Sequence, residues 1–360
     1  SEMCIRDSPN GYLEKKLCRY ERAALVGLQE IAVTFDKPPV VYDDFLPFFP
    51  ETSGNDVNGL GEKNIRRPSP FFWHPPDQHA YGELQRKVIG IQRRSPDITA
   101  HYSHKAPRGP APIEKAGIKI EKSAQDWTEA VKTFALAHEG DLVGIARIDP
   151  LYVYEGYELT HPWVVIVGVY MEHAELNNLP PSLENTRNPV EVARQYNRAA
   201  RACRELNNFI LTQGYEAKAW QGPFASALNM MPAAIQAGLG TLGKHGSLIN
   251  EEFGSSFRLS AVTTDMPLVA DAPKDIGAED FCANCQVCVK ACPPDAIFHE
   301  KQMVRGVEKW FVDFDKCIPY FGEALGCAIC ITKCPWSTPG RAPKLMKKML
   351  TRRQRLKARK

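Results

Sequence analysis

The sequence predicts a mixed α/β (α+β) protein in which a small cysteine-rich domain is appended to a larger core. Apolar segments of strand length alternate with amphipathic helical segments between about residues 120 and 270. Eight of the eleven cysteines fall between Phe281 and Pro335. The chain has 360 residues, which is long enough for one large core and a satellite domain.

The predicted core begins with a helix and two strands. Ser123 is a residue type that caps helices, and the apolar spacing after it predicts a helix that ends near Gly140. Residues Leu142–Ile148 are predicted to form a strand. Residues Trp163–Met171 are a continuous apolar run of strand length, which predicts a buried central strand.

A long helix is predicted to begin at Asn188 and Pro189 and to end at Gly214. Its inward face is expected to consist of Val192, Tyr196, Ala199, Cys203, Leu206 and Ile210.

The rest of the core is predicted to contain a short strand at Glu216–Trp220, a helix near Pro232–Ala237 and a strand at Phe257–Thr264. Alternation in the last strand places Phe257, Leu259 and Ala261 on one face, and Arg258 and Ser260 on the other.

Outside the core, residues 9 to about 115 are rich in proline and aromatic residues, and only Leu13–Ile31 resembles a helix there. The basic segment Lys344–Lys360 is predicted to be a solvated helix or a disordered end. Cys4 lies in the opening Ser1–Ser8, which is unlike the sequence that follows, and it is not interpreted chemically. The predicted regions are a wrapping region (1–118), the α/β core (119–274), the cysteine-rich domain (275–340) and a basic tail (341–360).

Composition excludes several classes of function. A net charge of +3 gives no argument for a nucleic-acid partner, and 44% hydrophobic with 24% charged residues is typical of a globular protein. No run approaches the roughly 20 apolar residues of a transmembrane helix. There is also no apolar region typical of a secretory signal. We therefore expect a cytoplasmic protein, a compartment that keeps thiols reduced.

The cysteines follow the spacing of bacterial ferredoxins, in which thiolates hold two [4Fe–4S] clusters. The first run is C-x2-C-x2-C-x3-C-P, and its fourth cysteine ligates the other cluster of the pair. This rule assigns one cluster to Cys282, Cys285, Cys288 and Cys334. It assigns the second cluster to Cys317, Cys327, Cys330 and Cys292. Zinc binding and disulfide bonds are the alternative interpretations of this pattern.

A glycine-rich segment, AGLGTLGKHG at Ala237–Gly246, precedes the last core strand. It has neither the order of a dinucleotide-binding fingerprint nor that of a P-loop. The glycines either form simple turns or allow the backbone to approach a large cofactor closely.

Several motifs occur together in a distinctive order: AGLGTLGKHGSLIN, FGSSFRLSAVTTDMPL, FCANCQVCVKACPPDAI, KCIPYF and CAICITKCP. Over roughly residues 190–336 they resemble the cobalamin-dependent reductive dehalogenases and the related epoxyqueuosine reductases. The resemblance implies a nitroreductase-like core that binds cobalamin in a base-off form, with no protein ligand below the cobalt. It also implies two [4Fe–4S] clusters that deliver electrons to the corrinoid.

The sequence separates the two families. Epoxyqueuosine reductases carry an aspartate at the position of Phe224, whereas the surrounding QGPFASALNMM has no acidic residue. The resemblance to the dehalogenases implies a tyrosine proton donor at Tyr196 and a basic partner at Arg258. An unperturbed phenol, with a pKa near 10, is a weak donor unless a cation stabilises its phenolate. Core packing and a surface charge are the structural alternatives for these two residues.

The resemblance also implies where the cofactor makes contact. The expected contact residues are Lys244, His245, Leu248, Asn250, Ile318 and Tyr320. Because Ile318 and Tyr320 flank Cys317, its cluster is expected to lie nearest the cobalt. Since the lower face of the corrin is open in this family, His245 is not expected to be a cobalt ligand.

These expectations describe a catabolic-type reductive dehalogenase that removes halide from a small organohalide, in particular a halogenated phenol or aromatic acid. No fused reductase module is expected, so the reductant is expected to be a separate ferredoxin or flavodoxin. Two alternatives stay open. One is an epoxyqueuosine-reductase-like corrinoid reductase that acts on a non-halogenated substrate, and the other is a non-catalytic iron–sulfur electron-transfer protein.

Overall fold

The computed structural model describes residues 44–102, 109–224 and 227–358, so the predicted helix Leu13–Ile31 and Cys4 lie outside the described residues. The α-helices are α1 (Gly54–Val57), α2 (Gly82–Gln92), α3 (Pro96–Tyr102), α4 (Ala124–Ala137), α5 (His173–Leu176), α6 (Arg187–Thr212), α7 (Met230–Gln236), α8 (Ala278–Asn284), α9 (Val287–Ala291), α10 (Phe314–Glu323), α11 (Ile329–Thr332) and α12 (Ala342–Lys357). Short 3₁₀ helices lie at Leu46–Phe48, Pro76–Gln78 and Pro150–Tyr152. The strands are β1 (Leu142–Arg147), β2 (Trp163–Tyr170), β3 (Ala217–Gln221), β4 (Thr241–Leu242), β5 (Leu248–Ile249), β6 (Phe257–Thr264), β7 (Gln302–Val304) and β8 (Val307–Lys309).

The core is a four-stranded sheet in the order β1-β2-β6-β3. Its three strand pairs are all antiparallel, with Ile166 of β2 opposite Ala261 of β6. Within the predicted mixed class the core is therefore of the α+β kind. The apolar run that begins at Trp163 forms a central strand, as predicted, and strand β6 has the predicted bounds.

Helices cover both faces of this sheet. On one face, Trp127 of α4 and Leu206 of α6 pack against Val165. On the other face, Ala233 of α7 packs with Ile166. Burying a side chain such as Leu206 contributes about 1.5–3 kcal/mol to stability, which explains why both faces of β2 are apolar.

Helix α6 confirms the predicted long helix, and four of its six predicted inward residues (Ala199, Cys203, Leu206 and Ile210) are buried. Val192 and Tyr196, in its first half, are only half-buried. The reason is that this end of the helix extends beyond the sheet core, where Val192 packs against Ala328 and Ile331 of the cysteine-rich region.

The proline-rich region differs from the prediction that its helical structure is confined to Leu13–Ile31. It contains α2 and α3, because Leu84 and Val88 form a buried i, i+4 pair and Pro96 stands at a helix start, where proline is tolerated. Phe71 and Phe72 are buried with Ile318 of α10. This region therefore packs onto a helix of the cysteine-rich part of the chain.

The basic segment forms helix α12, one of the two predicted alternatives, and its Ala342 and Met349 are buried. Arg353 of this helix forms ion pairs with Asp275 and Asp280. Among the described residues, no helix has the length and apolar character needed to cross a membrane.

Candidate functional site

Four of the cysteines form a first group at the start of the cysteine-rich region. Cys288 lies close enough to Cys334, Cys285 and Cys282 for their charges to interact, and Cys334 interacts in the same way with Cys282 and Cys285. Cys282 lies on α8 and Cys288 on α9, whereas Cys334 is contributed by the loop after α11. The structure thus brings together the four cysteines that the ferredoxin rule assigns to one cluster.

The other four cysteines form a second group beside the first. Cys327 interacts electrostatically with Cys330, Cys317 and Cys292, and Cys317 interacts with Cys330 and Cys292. Cys292 comes from the first sequence run, so this group contains cysteines of both runs, and the exchange of fourth cysteines stays a prediction. Cys288 of the first group also interacts with Cys330 of the second, which makes the groups neighbours.

Burial dominates the acid–base behaviour of both groups. It raises the pKa of Cys282 to about 11 and that of Cys330 to about 12. Burial, followed by the charge of Cys334, likewise raises the pKa of Cys288. Clustered thiolates are stable in such surroundings only when bound cations compensate their charge. The eight cysteines therefore fit the iron ions of [4Fe–4S] clusters.

The disulfide interpretation finds no support in the part of the chain that the structure describes. All nine described cysteines, including Cys203 in the core, are free of disulfide bonds.

The loop around Cys327 has an unusual backbone. Leu325, Gly326, Cys327 and Ala328 have φ angles of 53°, 110°, 52° and 62°. Each non-glycine residue in this left-handed region costs on the order of 1–3 kcal/mol, and such strain clusters at functional sites. The loop turns tightly at the corner that supplies Cys327 to the second group.

The helix that carries Cys317, α10, is held at its N-terminus by the proline-rich region. The Asp315 carboxylate accepts hydrogen bonds from the Gly54 N–H (2.9 Å) and the Tyr81 hydroxyl (3.0 Å). The Asn55 amide donates to the Asp313 carboxylate at 2.9 Å. These contacts between distant parts of the sequence fix the position of α10 and hence of the second group.

Tyr196 and Arg258, which lie far apart in the sequence, meet in the structure. The Arg258 guanidinium carbon lies 5.0 Å from the centroid of the Tyr196 ring, a cation–π contact. Gly222 lies against the other edge of this ring, and a Cβ there would stand 2.7 Å from Tyr196 Cε1. The glycine is therefore required for the ring to occupy this position.

Arg258 also connects this pair to the second cysteine group. Its positive charge lowers the pKa of the Cys330 thiol, although burial has the larger, opposite effect. The group that contains Cys317 and Cys330 is therefore the one beside Tyr196 and Arg258.

Buried polar atoms on Arg258, and on residues close to this pair in the sequence, lack hydrogen-bond partners among the described residues. They are Arg258 Nε, Ser256 Oγ, Gln195 Oε1 and Asn197 Oδ1. An unpaired buried polar group costs about 1–3 kcal/mol, so these atoms fit a large polar ligand such as a corrinoid with its amide groups. Two cavities of about 350 and 430 Å³ lie elsewhere, and neither is lined by Tyr196 or Arg258. The argument that a corrinoid fits here therefore rests on the unpaired atoms.

The residues predicted to contact cobalamin occupy different surroundings. His245 Nδ1 accepts a hydrogen bond from the Ser247 N–H (3.2 Å), so its Nε2–H donates to Ser255 Oγ (3.1 Å). Burial lowers the pKa of His245 to about 4, so the ring is neutral near pH 7. The Asn250 amide donates to Leu239 O at 2.8 Å, and its oxygen accepts from main-chain N–H groups of its own loop.

Leu248 is buried in the layer that contains α7. Ile318 is buried in the aromatic layer under the proline-rich region, and Tyr320 is buried beside Ala291 and Ile329. Lys244 is completely buried beside Trp310. Cofactor contact by these side chains stays a prediction.

The sequence did not predict that Trp73 and Phe224 form an aromatic wall near Tyr196. Phe224 follows Gly222 by two residues, is 53% exposed, and stands edge-on to Trp73 with 5.7 Å between ring centroids. Trp73 also meets Phe321 of α10 at 6.2 Å. The sequence does not reveal this contact, because Trp73 belongs to the proline-rich region and Phe224 follows β3. Only the fold brings the two rings together.

Comparison with known proteins identifies relatives of both parts of the chain. Residues 281–338 match the family model described as a 4Fe-4S dicluster domain. A tetrachloroethene reductive dehalogenase of Dehalobacter restrictus is 31% identical over 211 residues, which are 55% of this chain and 37% of that protein. Another from Sulfurospirillum multivorans is 32% identical over 275 residues, covering 69% of this chain and 53% of that protein. The chain thus spans about half or less of the length of these relatives.

A shorter match, 36% identity over 121 residues, links 29% of this chain to 35% of an epoxyqueuosine reductase of Cyclobacterium marinum. Among solved structures, the catabolic reductive dehalogenase NpRdhA in complex with 3-bromo-4-hydroxybenzoic acid is similar in fold. It has a TM-score of 0.65 and 22% identity, and covers 81% of this chain and 45% of that protein.

Proposed function

We propose that this chain, which belongs to the cobalamin-dependent reductive dehalogenase family, catalyses the reductive removal of halide from a small halogenated phenol or aromatic acid. One observation carries the proposal. A tyrosine, Tyr196, and a half-buried guanidinium, Arg258, face each other beside a group of clustered thiols that includes Cys330.

Two [4Fe–4S] clusters would be held by the two cysteine groups, with the cluster on Cys317, Cys327, Cys330 and Cys292 next to the reacting site. A corrinoid bound there would supply the low-valent cobalt that reductive cleavage of a carbon–halogen bond requires. His245 is not proposed as a cobalt ligand, because hydrogen bonds occupy both of its ring nitrogens.

The protein's own residues supply the proton and the charge balance. The overall reaction takes the organohalide, two electrons and one proton to the reduced product and halide. Tyr196 donates the proton through its hydroxyl to the carbon that loses the halogen. Arg258 stabilises the resulting phenolate and favours the departing halide, without itself losing a proton.

An aromatic substrate is supported by the wall formed by Trp73 and Phe224, which offers ring surface beside Tyr196. The structurally similar NpRdhA was solved with 3-bromo-4-hydroxybenzoic acid. Edge-to-face contacts with such a wall contribute about 0.5–1.5 kcal/mol each.

The test is turnover by protein reconstituted with iron, sulfide and cobalamin under titanium(III) citrate. We expect bromide release from 3-bromo-4-hydroxybenzoic acid and 2-bromophenol, and no reduction of an epoxyqueuosine-containing RNA stem-loop. Reduction of the RNA without bromide release would favour the epoxyqueuosine-reductase alternative, which the absence of an acid at Phe224 opposes. Iron uptake without corrinoid uptake or turnover would favour the electron-transfer alternative.

The reductant is proposed to be a separate acidic ferredoxin or flavodoxin that docks on helix α12. Leu345 and Met346 of this helix pack around the buried layer that contains Cys282 and Cys334. Its outer face exposes Lys344, Lys347, Lys348, Arg355 and Lys357. An acidic protein on this face would approach the first cysteine group.

Reversing two charges on α12, in Lys347→Glu/Lys348→Glu, is expected to raise KM for a reduced acidic ferredoxin about tenfold, with little change in kcat. Turnover with titanium(III) citrate should be unaffected. Lys218→Glu on β3, also an exposed position, is the control and should leave KM unchanged. An equal KM for the double variant and the parent protein at low salt would remove α12 as the docking face.

A further inference from the structure

We propose that Lys244 is the buried counter-cation of the cluster on Cys282, Cys285, Cys288 and Cys334, and that it raises the reduction potential of this cluster. The inference rests on the proposed clusters. It assigns Lys244 a positioning and electrostatic role that differs from the contact with cobalamin expected from the sequence.

The surroundings of Lys244 require a negative partner. Its side chain is 1% exposed, and its Nζ has no hydrogen-bond partner among the described residues. The Nζ lies 4.8 Å from the centroid of the Trp310 ring, a cation–π contact. An ammonium buried with only a ring as partner is costly, so an anion is expected within its reach.

The first cysteine group is the place where such an anion would form. The main-chain N–H of Lys244 donates a hydrogen bond to the Cys282 thiol. Trp310 lies in the same buried layer as Cys282 and Cys334. The ring that faces the ammonium and the thiol that accepts the Lys244 main-chain hydrogen bond therefore lie in one buried layer.

A fixed positive charge distinguishes the two redox states of this cluster. One-electron reduction makes a [4Fe–4S] cluster with four thiolates more negative, and no bond forms or breaks. A nearby ammonium stabilises the reduced state more than the oxidised state, which raises the potential. The hydrogen bond from the Lys244 main chain to Cys282 acts in the same direction.

The test is a potentiometric titration of the reconstituted protein, monitored by electron paramagnetic resonance. In Lys244→Met the potential of one cluster is expected to become more negative, while that of the other changes little. The affected cluster should be the one whose signal disappears in Cys334→Ala. Lys244→Arg keeps the charge and should retain a potential close to that of the parent protein.

Lys301→Met is the matched control. Lys301 Nζ lies 5.8 Å from the same Trp310 ring, but its side chain is 28% exposed and paired with Glu279. Because solvent and the carboxylate already compensate this charge, its removal should leave both potentials unchanged.

Unchanged potentials in fully loaded Lys244→Met would overturn the inference, as would equal shifts of both clusters. If Lys244→Met does not retain iron, the parent protein labelled with ε-¹⁵N-lysine provides the test. A ¹⁵N coupling to the reduced cluster in an electron–nuclear double resonance spectrum supports the contact, and its absence contradicts it. A parent protein that takes up no clusters would refute the proposed function together with this inference.

Discussion

Replacing Tyr196 by phenylalanine is expected to lower the rate of bromide release by about 10²–10⁴-fold, the usual contribution of a positioned proton donor. The change removes only the hydroxyl. The ring that lies under the Arg258 guanidinium and against Gly222 is retained, so the site should keep its shape. The measurement is turnover under titanium(III) citrate, together with the iron and cobalt content of the variant.

Tyr215→Phe provides a matched control for this change. Tyr215 also has a cation over its ring, with Lys119 Nζ at 4.9 Å, and its hydroxyl donates to Ile120 O at 3.1 Å. It lies in the layer under α4, away from the cysteine groups. We expect the control to turn over at the parent rate. Full turnover by Tyr196→Phe with normal cofactor content would remove Tyr196 as the proton donor.

The second large effect is expected from single cysteine replacements. Cys330→Ala should abolish one of the two [4Fe–4S] signals and stop turnover, because the cluster beside Arg258 loses a ligand. Cys292→Ala should abolish the same signal, although Cys292 belongs to the other sequence run. Loss of the other signal is expected for Cys282→Ala and Cys334→Ala.

Cys203→Ala is the control for these replacements. The Cys203 thiol is buried in the core, where it contacts Ala200 O, and it belongs to neither cysteine group. Both signals should persist in this variant. Loss of different signals from Cys292→Ala and Cys330→Ala would show that the two runs do not exchange their fourth cysteines.

The strands were predictable because their signal is local. A run such as that from Trp163 to Tyr170 can be stable only when both of its faces are covered, and β6 alternates with the pleat. Strand direction was not readable, because a doubly buried strand has the same apolar composition in parallel and antiparallel sheets. The long connection between β2 and β6 permits either direction, so their antiparallel pairing becomes known only from the structure.

The candidate site could be predicted only in part. The spacing of the cysteines is a local pattern, so the sequence alone predicts iron–sulfur clusters. The contact between Tyr196 and Arg258 depends instead on how α6 packs on β6. Trp73 reaches the site through contacts between residues that are far apart in sequence, which periodicity cannot reveal. Lys244 was expected to face a cofactor, but its burial beside Trp310 follows from tertiary packing alone.

Reconstitution with iron, sulfide and hydroxocobalamin, followed by gel filtration and metal analysis, tests the central claim most directly. Two clusters and one corrinoid correspond to about eight iron atoms and about one cobalt per chain. We expect both metals to co-elute with the protein, and the cobalt(II) spectrum to lack the nitrogen splitting of a ligated lower face. Retained iron without cobalt, or a nitrogen-split cobalt(II) spectrum, would contradict the account of clusters that deliver electrons to an open corrinoid.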